Sequence, residues 1–399
     1  MALSAFSHTS HTLFTSVTRL CIPSLATFIW PLGSRHLYAP ASMGLENFVS
    51  LRQKTEIQFT NKKEKFKEKM DKLMHSNDNV MVFTEDLKSA VFLAEATEKD
   101  LSLVLEMAKK FNQQYQGLRF GAYVFGPVVM RMYHYLNQPD AALAALKTKE
   151  LDGFFDQMIS YHIAMDLLYK SEKYEDVLDV FELVQEKRIA GVKYPKNCFT
   201  IAVATFYKLN TQDSLMKVLN LFDSAEEYGL FINRRIIMFA AALALKQNQP
   251  HIALELLLRA DSVTHISICS MKVIALCELD RIEDALPLLR SLIQIDLPAT
   301  SRSSGDFYIV EEAVLTAETA SQKTGKKELI AEFEHIKKSL LENNSISDKT
   351  LDMILSEPIE TFKMQESRQQ EKAMLAASFY GRGKRPVHHS RRQGLFDYE

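Results

Sequence analysis

The length, composition and charge of the chain limit what it can be. It has 399 residues, enough for one large or two ordinary domains, and 47% of them are hydrophobic. Glycine and proline are scarce, at 13 and 11, which disfavours a turn-rich all-β fold. The formal net charge of −2 gives no general attraction to a polyanion, so such a ligand would need a local group of cations. The four cysteines form no CxxC pair and no zinc-ligand set with the histidines, which predicts single buried thiols and no metal site.

Residues 1–45 have the composition of a targeting segment. They contain no Asp or Glu, are rich in Ser and Thr, and carry positive charge at Arg19 and Arg35. This composition is typical of mitochondrial transit peptides. A secretory signal and a membrane anchor are the alternatives, but the apolar stretch 20–32 is too short to cross a bilayer and contains Pro23. We therefore expect a disordered transit peptide over residues 1–45 and no membrane insertion of the mature protein.

A basic stretch and a long helical region follow the leader. Residues 46–80 are predicted to form a basic helical lead-in, in which lysines and glutamates share an exposed helix. Over residues 81–298, apolar residues recur at helical spacing in paired segments separated by short polar breaks, which predicts helix–turn–helix units. Lysines recur at steps of 38 residues at the end of the first helix of three units: Lys170, Lys208 and Lys246.

The second helices of these units align in columns. One column of small or apolar residues has steps of 35, 38, 38 and 32 residues, and the first and fourth residues after it are also apolar. The column residues are Ala142, Val177, Leu215, Ala253 and Ala285. Positions i, i+1 and i+4 lie on one side of a helix, and a single helix pair cannot bury that side, whereas a stack of pairs can. The columns predict an all-α solenoid with a weaker first unit around residues 87–110; the alternative is a non-repeating helical domain.

The region after the array is predicted to have two parts. Residues 299–365 have helical patterns and are expected to form a C-terminal cap of the solenoid. Residues 366–399 form a basic tail that is expected to be disordered. Its acid-free stretch 381–392 could supplement the binding of nucleic acid or of the ribosome.

The spacing within the units resembles the pentatricopeptide repeat family. The nine-residue step from Tyr161 to Lys170, repeated from Phe199 to Lys208, is similar to the first helix of that repeat, and 281–286 is similar to the start of its second helix. The tetratricopeptide signature is absent. The resemblance implies a right-handed superhelical array that binds RNA in the mitochondrial matrix. There it would act in processing or maturation of transcripts and so support expression of the respiratory chain.

The family resemblance also implies roles for individual residues. In this family, the residue after the Tyr of the first helix and the last residue of the repeat contact an RNA base. At these two positions of the repeats, this sequence has His162, Thr200 and Asn233, which the resemblance therefore implies as base-contacting residues.

The phosphates of the RNA would be contacted by cations. The resemblance places the recurring lysines on the groove, and Arg234 and Arg235 begin a helix, where cations are disfavoured unless they meet an anion. An alternative for the lysines is that they only stabilise the negative ends of their own helices, and an alternative for the two arginines is that they are simply solvated.

Catalysis is not expected. The sequence has no nucleophile motif, metal-ligand set or glycine-rich phosphate loop, so we expect neither an enzyme nor a cofactor. The expected partners are single-stranded mitochondrial RNA and, in addition, RNA-processing or ribosomal proteins. The rival function is a protein-binding scaffold for the mitochondrial ribosome or for respiratory-complex assembly, because helical solenoids also bind peptides.

Overall fold

Helices dominate the computed structural model, which describes residues 37–75, 81–114, 123–260, 265–293 and 308–359. In these ranges the chain forms 17 α-helices and one pair of two-residue strands. The predicted all-α class is confirmed. The predicted tail, and the leader as far as residue 36, lie outside the described residues.

The helices fall into three groups along the chain. The first group precedes the repeats and comprises α1 (Leu45–Gln58), α2 (Lys63–His75), α3 (Thr84–Leu93) and α4 (Glu98–Gln113). Five helix pairs follow: α5 (Gly126–Tyr135) with α6 (Pro139–Lys147), α7 (Met158–Lys170) with α8 (Tyr174–Lys187), α9 (Lys196–Leu209) with α10 (Gln212–Glu227), α11 (Arg234–Lys246) with α12 (Pro250–Leu258), and α13 (Ile266–Glu278) with α14 (Ile282–Ile293). The last group is α15 (Glu311–Thr324), α16 (Lys327–Glu342) and α17 (Leu351–Leu355).

Each helix pair turns through one residue with a positive φ. The five residues follow the first helix of their pair by one or two positions and are Asn137, Glu172, Asn210, Asn248 and Asp280. Their φ values lie between 48° and 60°. Asn and Asp tolerate this left-handed conformation better than most residues, which explains four of the five. Their spacing repeats the steps of the predicted apolar column, so backbone and sequence define the same repeat.

The predicted columns are buried where the helix geometry allows it. The column residues themselves are at most 3% exposed, and so is Phe181, one of the residues four positions later. The residues directly after the column are less consistently buried, since Met216 is 54% exposed. A step of one residue turns about 100° around a helix, which carries such a side chain away from the packed stripe. In α10, the second helix of the third pair, the buried side therefore includes fewer of the three predicted positions than the sequence indicates.

The first helices of the pairs pack side by side in chain order, from α5 through α7, α9, α11 and α13 to α15. They are buried almost all round; in α9, every residue from Cys198 to Tyr207 is buried. A helix that is apolar on all sides needs cover on all sides. The second helices cover one side, and the chain itself covers part of the other.

That additional cover comes from both ends of the described chain. Residues 37–43 contact α7, and α17 contacts α11 and α13. The two segments meet in a parallel bridge between Tyr38 and Ile359. Strands β1 (Ile309–Val310) and β2 (Ile346–Ser347) pair in parallel. Because β2 directly precedes α17 in the chain, this pairing fixes the start of the segment that contains α17. We call residues 37–43 and 351–359 together the terminal cover.

The start of the fold differs from the predicted limit of the leader. The predicted disordered leader covers residues 1–45, but Leu37, Tyr38 and Met43 are at most 2% exposed, and α1 begins at Leu45. Composition could not reveal this, because the acid-free stretch runs past the point where packing starts. The predicted lead-in contains α1 and α2, and the predicted cap contains α15, α16 and α17.

Candidate functional site

The terminal cover lies against one side of the first helices, which we call the covered face. It comprises the side chains of α5, α7, α9 and α11 that contact the cover. On α5, Arg131 donates a hydrogen bond from Nε to the Met43 carbonyl at 2.7 Å. On α7, the ring of His162 meets the ring of Tyr38, with 4.3 Å between centroids. The contacts of α9 and α11 involve the predicted lysines.

The three predicted lysines come together on this face. Lys208 Nζ lies 3.6 Å from one carboxylate oxygen of Asp352 in α17, and Lys246 Nζ lies 3.6 Å from the other. Lys170 lines a small cavity with Lys208, and the cavity is also lined by Leu37 of the cover. Lys170 and Lys246 are the last residues of α7 and α11, and Lys208 is the last but one of α9, so a repeat of 38 residues places all three lysines in the last turn of a first helix.

An aromatic residue lies between two of these cations. The Tyr207 ring has Lys246 Nζ 4.0 Å and Lys208 Nζ 5.5 Å from its centroid. Its hydroxyl donates a hydrogen bond to Asp352 Oδ1 at 2.5 Å. Burial alone would raise the pKa of Asp352, but the Tyr207 hydrogen bond and the two lysine charges outweigh it and lower that pKa. These groups therefore form a site that stabilises an anion.

The positions predicted to contact bases are less accessible. His162 is 2% exposed and Thr200 is 1% exposed. The Tyr38 ring lies edge-on to His162, at an interplanar angle of 81°, and the Tyr38 hydroxyl donates weakly to Asn197 Oδ1 at 3.4 Å. Burial raises the pKa of Tyr38, and a hydrogen bond with Thr200 opposes this. Both predicted positions thus face a side chain of the cover.

Asn233, the third predicted base-contacting residue, has a structural role. It is the N-cap of α11, and its Oδ1 accepts a hydrogen bond from the Ile236 amide at 2.9 Å. Capping satisfies one of the amides that a helix leaves without an internal partner. A base could reach Asn233 only through the remaining atoms of its amide.

The side chains of the adjacent residues Arg234 and Arg235 point in different directions. Arg234 is exposed, whereas Arg235 reaches the cover. Arg235 donates from Nη2 to the Leu355 carbonyl at 2.8 Å and from Nη1 to the Ile354 carbonyl at 3.3 Å, and it also bonds the Glu357 carbonyl. Burial lowers the pKa of Arg235. Its partner is therefore the end of α17.

Sequence reasoning missed both cover residues at the centre of the site. Tyr38 lies in the predicted leader, and Asp352 lies in the predicted cap. Neither has a periodic signal, because the contacts of Tyr38 with Asn197 and of Tyr207 with Asp352 span 159 and 145 residues. One hint was available in the sequence: a tyrosine, Tyr169 or Tyr207, directly precedes the recurring lysine in two of the first helices.

A buried polar contact lies between α5 and α7. His134 on α5 and Asp166 on α7 approach to 3.1 Å, and neither side chain is exposed. Among the described residues, no group of His, Cys, Asp and Glu could hold a metal ion. No helix in the described part of the chain is long and apolar enough to cross a membrane.

The fold and this face define an all-α helical-repeat protein with a row of lysines on its first helices. No family model matches the chain. It is 29% identical over 300 residues to pentatricopeptide repeat-containing protein 2, mitochondrial, of Mus musculus, which covers 75% of this chain and 74% of that protein. The Homo sapiens protein of the same name is 24% identical over 82% of this chain and 81% of its own length.

A third relative has higher identity over a shorter stretch. The Danio rerio protein of the same name is 32% identical over 170 residues, 43% of this chain and 44% of that protein. The predicted resemblance to pentatricopeptide repeat proteins is therefore confirmed. These relatives are named mitochondrial.

Proposed function

We propose that this chain is a mitochondrial RNA-binding protein that acts in processing or maturation of mitochondrial transcripts in the matrix. One observation carries the proposal: three consecutive first helices bring Lys170, Lys208 and Lys246 together on one face. Proteins similar to this chain are named as mitochondrial pentatricopeptide repeat proteins, which supports the same assignment. The protein would bind RNA without catalysing its cleavage and would rely on processing or ribosomal proteins as partners.

The anion site on the covered face supports this function. The Asp352 carboxylate lies between Lys208 and Lys246, each at 3.6 Å, so the two cations are already spaced to hold one small anion. A phosphate group has the same charge character and more acceptor oxygens. Phosphate contacts by lysines supply most of the affinity of proteins that bind single strands without strong sequence preference.

The test measures how many phosphate contacts the lysines make. Fluorescence anisotropy of a labelled single-stranded RNA is recorded over a salt series for the full chain and for Lys170→Gln, Lys208→Gln and Lys246→Gln combined. Each lost phosphate contact reduces the log–log salt slope by about 0.7, so the triple variant should lose about 2 units of slope. The slope is preferable to affinity alone, because removing the partners of Asp352 also loosens the cover.

A matched control removes three lysines elsewhere. Lys147, Lys217 and Lys338 lie on α6, α10 and α16 and are at least half exposed, so their replacement by Gln gives the same change of net charge. The control should retain the wild-type slope. Equal slopes in all three proteins would contradict RNA binding at the covered face.

The transcript-processing part needs a test in the organelle. Crosslinking and sequencing of RNA bound to the protein in mitochondria should enrich defined transcripts, and the Gln triple variant should lose that enrichment. Accumulation of unprocessed forms of the enriched transcripts in cells lacking the protein is the second expected result. Normal processing of those transcripts would contradict this part of the proposal.

A protein-binding scaffold is a second candidate, favoured by a specific observation. The covered face already holds two peptide segments of the chain, through backbone carbonyls on Arg235 and buried apolar side chains such as Leu355. A peptide of a ribosomal or assembly partner could use the same contacts. Partner proteins that persist after RNase treatment and disappear in an Arg235→Met variant would support the scaffold over RNA binding.

A further inference from the structure

We propose that the terminal cover is an autoinhibitory pseudo-ligand, which occupies the places of an RNA base and an RNA phosphate on the covered face. RNA and the cover would then compete, and RNA would bind only when the cover has moved away. This inference rests on the proposed function and adds the regulation of the same site. Three features of the described residues carry the inference. They are the chemical groups that the cover places on the face, its short connection to β2, and the hydrogen bonds between its two halves.

The cover places an anion where a phosphate is proposed to bind. Asp352 accepts a hydrogen bond from Tyr207 and lies between Lys208 and Lys246. The side chain of Asp352 is still 53% exposed, so solvent and a competing anion can reach it. An exchange of this carboxylate for a phosphate keeps the charges of the face compensated.

The cover places a planar ring where a base is proposed to bind. The Tyr38 ring lies edge-on to His162, and its hydroxyl interacts with Thr200 of the next first helix. Those two positions belong to consecutive repeats, and in single-stranded recognition a base contacts side chains of this kind by ring contacts and hydrogen bonds. Tyr38 thus occupies the space beside both side chains in the absence of RNA.

The cover is attached in a way that makes it an effective competitor. Its C-terminal half begins only a few residues after β2, which is fixed to β1 through the pair Ile346 and Ile309. A short tether keeps the competing group at a high effective concentration near its site. The helix within this half, α17, has five residues, too few to be stable without the face on which it lies.

The two halves of the cover support each other. The Ile359 amide donates to the Leu37 carbonyl at 2.8 Å, and the Ala39 amide donates to the Ile359 carbonyl at 3.1 Å. Removal of either half leaves the backbone groups of the other half without these partners. Displacement of Asp352 by RNA therefore weakens the hold on Tyr38, and the anion and ring positions become free together.

The test uses the full chain with single substitutions in the cover. Asp352→Asn keeps the shape of the side chain and removes its charge, and Leu355→Ala weakens the apolar anchor without any change of charge. Both should bind a labelled mixed-sequence single-stranded RNA of about 20 nucleotides roughly tenfold more tightly than the wild type, because a larger fraction of molecules is open. Circular dichroism melting checks that both variants are folded.

Asp348→Asn is the matched control for charge. It removes one negative charge from an exposed position shortly before the cover and should leave the RNA affinity unchanged. Hydrogen exchange of the wild type gives a second readout: amides of residues 351–359 should exchange faster when RNA is bound. Tighter RNA binding by both cover variants, together with this faster exchange, supports the inference.

The inference and the proposed function fail in different ways. RNA binding of equal strength by the wild type and both cover variants, with unchanged exchange of residues 351–359, would overturn autoinhibition and leave RNA binding intact. An equal gain in Asp348→Asn and Asp352→Asn would also overturn it, since net charge alone would explain the gain. No RNA binding by any of the proteins would overturn the proposed function, and the inference with it.

Discussion

The buried imidazole of His162 should make the stability of the fold depend on pH. Burial lowers the pKa of His162 to about 4 from an ordinary value of 6.5. Asp166 on the same helix acts in the opposite direction, and His134 on α5 acts in the same direction as burial. The Tyr38 ring faces the imidazole from the cover. A proton is therefore bound more weakly in the folded state than in the unfolded state.

The size of the effect follows from the two pKa values. The shift from 6.5 to about 4 corresponds to a difference in free energy of about 3 kcal/mol between protonation of His162 in the unfolded and folded states. Because the folded pKa is lowered, the contribution of His162 to stability is complete above about pH 6.5. It is lost progressively as the pH falls, and the loss is complete near pH 4.

His162→Phe isolates this contribution. Phenylalanine has a similar shape, cannot titrate, and leaves no polar atom behind; in the described part of the chain neither ring nitrogen of His162 has a hydrogen-bond partner. At neutral pH the variant should be at least as stable as the wild type, since a buried polar group without a partner destabilises a protein. Urea unfolding at a series of pH values should show the variant gaining about 3 kcal/mol over the wild type between about pH 7 and pH 4.

Parallel stability curves would refute the reasoning. If the wild type and His162→Phe lost stability equally over this range, then His162 would bind its proton equally well in both states. The burial of its ring under Tyr38 would then have no energetic consequence.

Substitutions at three further positions test the repeat architecture, each by urea unfolding near neutral pH. Asn233→Ala removes the N-cap of α11 and should lower the free energy of unfolding by about 0.5–2 kcal/mol, whereas no loss would show that water or another group caps the helix. Phe222→Ala in α10 empties a fully buried site and should cost about 3–5 kcal/mol; a cost near zero would mean that the second helices do not pack as described. Asn210→Val should cost at least about 1 kcal/mol because its φ is 48°, while Asn210→Gly should retain wild-type stability, and equal effects of the two would argue against the left-handed turn.

The repeat register could be predicted from the sequence because it is local and periodic. The column residue of each second helix is buried, and each second helix contacts the first helix of its own pair and the helix that follows it, so the same requirement recurs along the chain. Ala142 and Ala285, at the two ends of the column, are both fully buried, as the alignment predicts. The lysine row follows from the same periodicity, since equal repeats place equal positions on one side of the stack.

The packing of the terminal cover on the covered face could not be predicted in the same way. The contacts of Tyr38 and Asp352 join each end of the described chain to α9, 159 and 145 residues away, and no spacing rule links residues so far apart. The role of Asn233 was also open, because an Asn before a helix suits both a cap and a base contact. Only the position of its side chain against the Ile236 amide decides in favour of the cap.

The bridge between Tyr38 and Ile359 has a practical consequence for protein engineering. It holds the first and last described stretches of the chain side by side, at the hydrogen-bond distances of paired strands. Because the bridge is parallel, a linker of about a dozen residues or more between residues 359 and 37 would be needed to cross back and close the folded part into a ring. Such a circular protein has fewer unfolded conformations, so we expect it to resist denaturation better than its linear parent. New termini could then be opened in an exposed turn between two helix pairs.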